Sequence, residues 1–511
     1  MSSERCSDSP IPPRDGPPRD GPQRAGQLRA GPRRPTDGAP SPATPAVGAD
    51  VAGGHWLGAA LFVTGIVALA FNLRPAITSL PPVFPELAAT LGLSSATLTA
   101  LATIPVVCFG LFSGVAARLS RRFGDEQALA AALTVLAACL ALRGGFPHLA
   151  LLPATALAAG AIAIMNVLLS GLIKRRMPQR AGLLIGIYLL SLSVGSIIGS
   201  LISVPVYQAS GGSARLVLGL WAFPAALAAV MWLPQTRRRD DATPGAVTRA
   251  ARRPGRGGGP GGAAGGAAEG WAGGVPDGVP DGVAEDVAVG VADGMAEGVA
   301  DGMATGGAGG GGAAGRRASA GHAVHRHFLG WQVAGFMGLQ SLTYYSTLSW
   351  LPILFRDRGA SPAQAGALIS VAALGGGLTS LVVPVLAHRA ADQRLLLIPT
   401  VLVSGVGIAA ALYAPMSAAM FWMFVLGLGQ GASLGLAIFF TMARAATPAI
   451  AASLSSLAQS AGYLLASTGP LLVGFLHTAT GAWTVPIFLL LGVTGIELFA
   501  GYLAARGRVI S

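Results

Sequence analysis

The sequence predicts an all-α membrane protein of twelve transmembrane helices, arranged as two pseudo-symmetric six-helix bundles. Three observations carry that expectation. The 511-residue chain is 52% hydrophobic and only 11% charged, against about 25% charged residues in soluble domains. Its apolar residues gather into windows near 20 residues, enough to cross about 30 Å of hydrocarbon as helix. The windows also come as six, a long gap and six more.

Taken in order, residues 1–55 are rich in Pro, Arg, Gly and Asp and hold no apolar core of a secretory signal, so they read as a disordered cytoplasmic arm. The first bundle, 56–233, has windows at 56–81, 95–116, 127–144, 149–171, 181–205 and 214–233. Residues 234–327 begin with arginines and become Gly-rich, with a degenerate GVPD-type repeat over 274–305. That repeat lacks the GGxGxD spacing of a calcium-binding array, and the stretch reads as a flexible linker. The second bundle, 328–505, has windows at 328–353, 362–387, 394–413, 417–441, 452–476 and 483–504, and 506–511 is a short tail.

Arginine placement orients the chain. The second-to-third connection carries Arg118, Arg121 and Arg122, and the fourth-to-fifth carries Lys174, Arg175, Arg176 and Arg180. The connections on the other side are poorer: Arg143 stands in the third and Arg215 in the fifth. The positive-inside bias therefore places both termini and the linker in the cytoplasm.

The halves are related by a shift of 270 residues. It brings Ser79 onto Ser349, Pro82 onto Pro352, Lys174 onto Arg444, Pro178 onto Pro448 and Gly199 onto Gly469. Matches at one offset, on equivalent helix ends, indicate a duplicated six-helix unit with a site between the copies near mid-membrane.

With its duplicated layout and basic second-to-third loop, the chain resembles a major facilitator superfamily transporter. NLRPAITSLPPVFPEL (72–87) and LGLSSATLTALATIPVVCFGLFSGVAARLSRRFG (91–124) resemble, more narrowly, the cyanate and 2-nitroimidazole transporter branch. The resemblance implies the major facilitator fold and movement of a small solute. In the loop GVAARLSRRFG (114–124), Arg118 stands where the family pattern Gly-x-Leu-Ala-Asp-Arg-x-Gly-Arg-Arg has its acidic residue. Gly114 is expected to permit close helix approach. Arg118, Arg121 and Arg122 are candidates to latch helix ends in one state of the transport cycle.

Arg74 is the leading site residue. A charge at mid-helix costs at least about 2.5–3.5 kcal/mol to insert, so it needs a cavity or a partner. The nearest acid along the same helix is Glu86, about 18 Å away if helical, and no carboxylate is an obvious match. Two readings stand: the cargo supplies the counter-charge, or Arg74 bonds carbonyls freed by Pro75 and Pro81. Asn72 sits about 200° round the helix and is either a pocket residue or inter-helix glue. Gln340 and Tyr344 are four residues apart on one helix face, and Tyr344 is the 270-shift partner of Arg74. Gln430 is a further amide at membrane depth. Glu497 is an acid within the last helix and a candidate for proton coupling, with a structural role as the alternative.

The single lysine, Lys174, has no GxxxxG before it, which argues against a nucleotide-binding loop. The arginines lie in tails and short loops, which argues against nucleic-acid binding. Cys6, Cys108 and Cys139 offer neither a CxxC pair nor a disulfide framework. No enzyme activity, cofactor or metal is expected. The expected partners are a small polar or anionic solute, H+ as a candidate co-substrate, and the bilayer of a bacterial-type cytoplasmic membrane, with the carrier working as a monomer. The rivals are a multidrug or antibiotic exporter of the same fold and a membrane sensor or scaffold that signals through the linker.

Overall fold

The first helix breaks where its prolines fall. In the computed structural model, which describes residues 49–177, 180–237 and 324–510, helix α1 spans Ala49–Asn72 and α2 only Pro75–Thr78. A 3-10 turn, Pro81–Val83, and α3, Phe84–Leu91, complete the crossing. Pro75 has no N–H to give the Phe71 carbonyl, so the ladder stops there. The expected window 56–81 is therefore the middle of a longer, interrupted span, with Arg74 at the break.

The rest of the first half is α4 (Ser95–Phe123), α5 (Asp125–Gly145), α6 (Pro147–Arg176), α7 (Ala181–Ala209), α8 (Ala214–Gly219) and α9 (Ala222–Arg237). The second half is α10 (Phe328–Asp357), α11 (Pro362–Arg389), α12 (Arg394–Tyr413), α13 (Ala419–Ala443), α14 (Pro448–Thr480) and α15 (Thr484–Ala504). The arm, up to residue 48, and the linker, over 238–323, lie outside the described residues. In the tail, Ile510 folds back on the α13–α14 turn, its N–H donating to the Arg444 carbonyl at 2.9 Å.

Among the described residues ten stretches, not twelve, are long and apolar enough to cross a membrane. The two expected windows that fall short belong to α10 and α14, which are 30 and 33 residues long. Both carry runs of Ser, Thr, Tyr and Gln that lower their mean hydropathy. The physical reason is their position: α10 packs on α14, and both reach across to the other half, so they face the space between bundles more than lipid.

Across the halves, α4 packs on α14 and α7 on α11. A shift of 270 residues carries α4 onto α11 and α7 onto α14, so these two contacts are copies of one another. The duplication read in the sequence is thus built into the interface. The break in helix 1 rests on α7 at GSIIG, 195–199. A β-carbon at Gly195 would collide with the Phe71 carbonyl oxygen freed by Pro75, and one at Gly199 with Thr78 and Pro75. Ser200 Oγ donates to the Thr78 carbonyl at 3.1 Å, tying the irregular backbone to α7 as a membrane interior requires.

Candidate functional site

Arg74 opens onto a cleft between the halves that encloses about 1010 Å³, its mouth included. The first half contributes Arg74 and one face of α7, with Leu192, Ser193 and Ser196. The second half contributes Gln340, Tyr344, Tyr345 and Thr347 from α10, Gln430 from α13, Tyr463 from α14 and the glycine-rich face of α11. Three expected site residues, Arg74, Gln340 and Tyr344, are thereby brought together, and Gln430 joins them. None of the described lining residues is acidic.

The half-buried Arg74 guanidinium lies among four tyrosines, Tyr188, Tyr344, Tyr345 and Tyr463. Tyr345 is close enough to take a hydrogen bond from it. The ion pairs among the described residues are elsewhere: Arg175 with Asp125, Arg176 with Glu126 and Arg356 with Glu86. The rings form a cluster, Tyr344 edge-on to Tyr345 at 5.1 Å between centroids and Tyr345 to Tyr463 at 6.3 Å. On α10 and α13 the amides are held by their neighbours. Gln430 Nε2 donates to Thr347 Oγ1 at 2.8 Å, and Gln340 Nε2 to Ser341 Oγ at 2.7 Å.

Other expected site residues stand apart from the cleft. Asn72 turns away from Arg74, and its amide donates to the carbonyls of Ala68 at 2.8 Å and Pro224 at 3.2 Å, joining α1 to α9. Its azimuth on the helix places it outside the cleft lining. Glu497 is buried, 1% exposed, beside Ser433 on the side of α13 away from the cleft lining. Gly114 does not mediate a close approach: a β-carbon there would meet nothing within 4 Å. One turn earlier Gly110 packs on Leu464 of α14. Arg118, Arg121 and Arg122 follow on the exposed stretch and latch nothing in this state, Arg122 lying over the Phe123 ring at 5.2 Å.

The opposite end is shut. Glu86 pairs with Arg356, and Ser370 Oγ donates to the Ile197 carbonyl at 3.0 Å. Gly366 of α11 seats on the Ser200 carbonyl, and Gly474 of α14 on Thr99 and Trp350. Glu86 and Arg356 differ by 270 in number. Symmetry-equivalent residues that touch must lie beside the pseudo-axis, so this pair closes the centre of that end. The halves thus meet at one end and part toward the basic loop.

Sequence reasoning missed four things here. Tyr463 is the 270-shift partner of Ser193, and that offset was the signal for it. The Glu86–Arg356 pair carried the same signal. Thr347 is one turn beyond Thr343 on the face that meets α13. Arg143, expected in a loop, is buried with 1% exposure. It donates to the carbonyls of Leu218 at 3.3 Å and Ala76 at 3.2 Å, and no sequence pattern pointed to it.

A family model for the Major Facilitator Superfamily matches residues 60–470. The chain is 31% identical over 453 residues to the 2-nitroimidazole transporter of Escherichia coli (strain K12), covering 88% of this chain and 96% of that one. It is 25% identical over 417 residues to the cyanate transport protein CynX of the same organism, covering 81% of this chain and 90% of that one. Among solved structures it is similar to a bacterial homologue of the human lysosomal transporter Spinster in an inward-facing, unoccupied conformation. That likeness has a TM-score of 0.59 at 14% identity, covers 87% of this chain and 96% of the other, and concerns the fold.

Proposed function

Because this chain belongs to the Major Facilitator Superfamily, we propose that it carries a small anionic or strongly polar solute across the membrane by alternating access, with Arg74 meeting the cargo's charge. One observation carries the reading: Arg74 lines the cleft among tyrosines, and no acidic side chain among the described residues lines the cleft with it. A guanidinium held at membrane depth without an acid is stabilised when an anion or a concentrated dipole enters beside it. The relatives named for cyanate and 2-nitroimidazole support cargo of that kind. Gln340, Tyr344 and Gln430 approach the cargo from the opposite half.

The conformation fits one end of such a cycle. The positive-inside rule assigns the parted, basic end to the cytoplasm, which makes this the inward-open state. The Glu86–Arg356 pair then closes the outer face. Passage to the other state separates that pair and brings α4, beyond Gly114, against α14. Arg118, Arg121 and Arg122 then approach the second half.

The test is flux in liposomes of purified protein, with cyanate, 2-nitroimidazole and small carboxylates, wild type beside Arg74→Gln. The expected result is flux of at least one of these probes that Arg74→Gln abolishes while the protein stays folded. Undiminished flux in Arg74→Gln removes the charge-contact reading and returns the protein to the class of exporters for bulky apolar compounds.

A further inference from the structure

The cleft receives the Arg74 donors from one half and two oriented amides from the other. On the first half the Arg74 fork brings five N–H donors, of which Tyr345 is placed to receive one. On the second half the hydroxyls of Tyr344, Tyr345 and Tyr463 also line the cleft, but the amide and threonine donors beside them are spent. Thr347 gives its hydroxyl proton to the carbonyls of Thr343 and Tyr344, both at 2.9 Å. Its oxygen is left to accept, so Gln430 must turn its NH2 toward it and its own oxygen away. Gln340 is oriented in the same manner, because its NH2 is the end that the Met337 carbonyl at 3.2 Å can accept. Ser380, also on this side, gives its proton to the Gly377 carbonyl at 3.0 Å. The two amide oxygens line the cleft with no protein donor.

We propose that the cargo is a small planar anion that carries a hydrogen-bond donor, a ring N–H or a hydroxyl, on the edge away from its charge, and that Gln340 and Gln430 are the residues that select for that donor. This rests on the cleft being the cargo site and Arg74 its charge contact. Planarity follows from the tyrosine cluster and the leucine walls, which offer ring faces and flat apolar surface. An anion lacking the donor satisfies Arg74 but, once the cleft closes over it, leaves two amide acceptors without a donor, a mismatch that discriminates against the analogue. A bare triatomic anion is thus a poor cargo, although it fits the charge.

The experiment compares binding of matched probes to purified full-length protein by calorimetry. The pairs are imidazole-4-carboxylate against its ring N-methyl analogue, and 4-hydroxybenzoate against 4-methoxybenzoate. Each pair keeps the carboxylate and the ring and removes the donor. The expected result is a loss of about tenfold or more on methylation in at least one pair, with no variant needed. Gln430→Leu and Gln340→Leu should then weaken the donor-bearing probe and narrow its advantage over the methylated partner. Equal binding within every pair, or amide variants that weaken both members alike, overturns the proposal. If Arg74→Gln weakens both members while methylation costs nothing, only this inference falls and the charge contact stands. If no pair binds at all, this inference falls, and flux of the simple anions then decides the charge contact separately.

Discussion

Arg74 and Arg143 are two guanidiniums at membrane depth in the same half of the molecule, one half-buried and one buried, and neither has an acid among the described residues. Their surroundings differ in one respect. Arg143 is fully enclosed, and its donors end on main-chain carbonyls of Ala76 and Leu218. Both acceptors exist because a helix is interrupted. Leu80 N–H bonds to Ile77 instead of Ala76 in the break of helix 1, and Leu218 lies where α8 gives way to α9. Arg74 stands at that same break but faces tyrosines and open cleft. On the reading proposed above, what separates a structural cation from a binding cation is whether the backbone supplies its acceptors.

The largest effect expected from this comparison is on Arg143. Arg143→Met leaves two buried carbonyls without donors, at about 1–3 kcal/mol each. The substitution should destabilise the purified carrier by about 3 kcal/mol or prevent its accumulation, read by thermal unfolding in detergent. Arg74→Met should do neither. If the two variants unfold alike, the distinction drawn between the sites is wrong.

Next in size is the effect of Arg74 on transport. Arg74→Gln removes the charge and keeps a polar group of similar reach, so an anionic probe should lose about tenfold or more in affinity with an unchanged melting temperature. Arg74→Lys should recover part of it, since a point charge replaces the fork. An affinity that survives Arg74→Gln would erase the difference between the arginines from the functional side.

The Glu86–Arg356 pair extends the comparison to a cation that does have an acid. A part-buried ion pair of this kind contributes about 1 kcal/mol. Glu86→Gln should therefore raise outer-face labelling of a cysteine introduced by Ser196→Cys roughly fivefold, in a background without the native cysteines. Because the two positions are symmetry equivalents, exchanging the charges with Glu86→Arg and Arg356→Glu should restore closure. A swap no better than the single variant would mean that the pair is not the outer latch.

How much of this was open to reading in the sequence follows from the range over which each property is set. Crossing helices are a local average of hydropathy, so ten of the windows matched, and α10 and α14 missed because polar residues facing the cleft dilute that average. The break in helix 1 was legible because Pro75 lacks an N–H wherever it lies. The facing of Arg74 and Tyr344 was legible through the 270-residue offset, which is a statement about symmetry and needs no coordinates. Asn72 and Arg143 were not legible. Their roles depend on which carbonyls α8 and α9 expose to them, and those helices lie about 70 to 150 residues away in the chain. The sequence places Arg143 at a helix end, where a charge ordinarily reaches water; the crossing of α5 over α8 buries it.

The smallest effect is expected at Glu497, the mirror case of an acid without a cation. It is buried on α15 beside Ser433 of α13, and Ser433, Ser404 and Glu497 Oε1 are all buried without a well-formed hydrogen bond. No charged side chain acts on it, and it does not line the cleft. A group so placed reaches neither cargo nor the Arg74 side of the interface, so Glu497→Gln, which keeps its shape, should leave probe flux within about twofold and its pH profile unmoved. Proton-driven uptake by this residue requires the opposite: flux that ceases to follow pH in the variant while binding of the probe persists. That measurement therefore separates a proton path through α15 from a carrier whose chemistry is confined to the cleft, and the geometry favours the second.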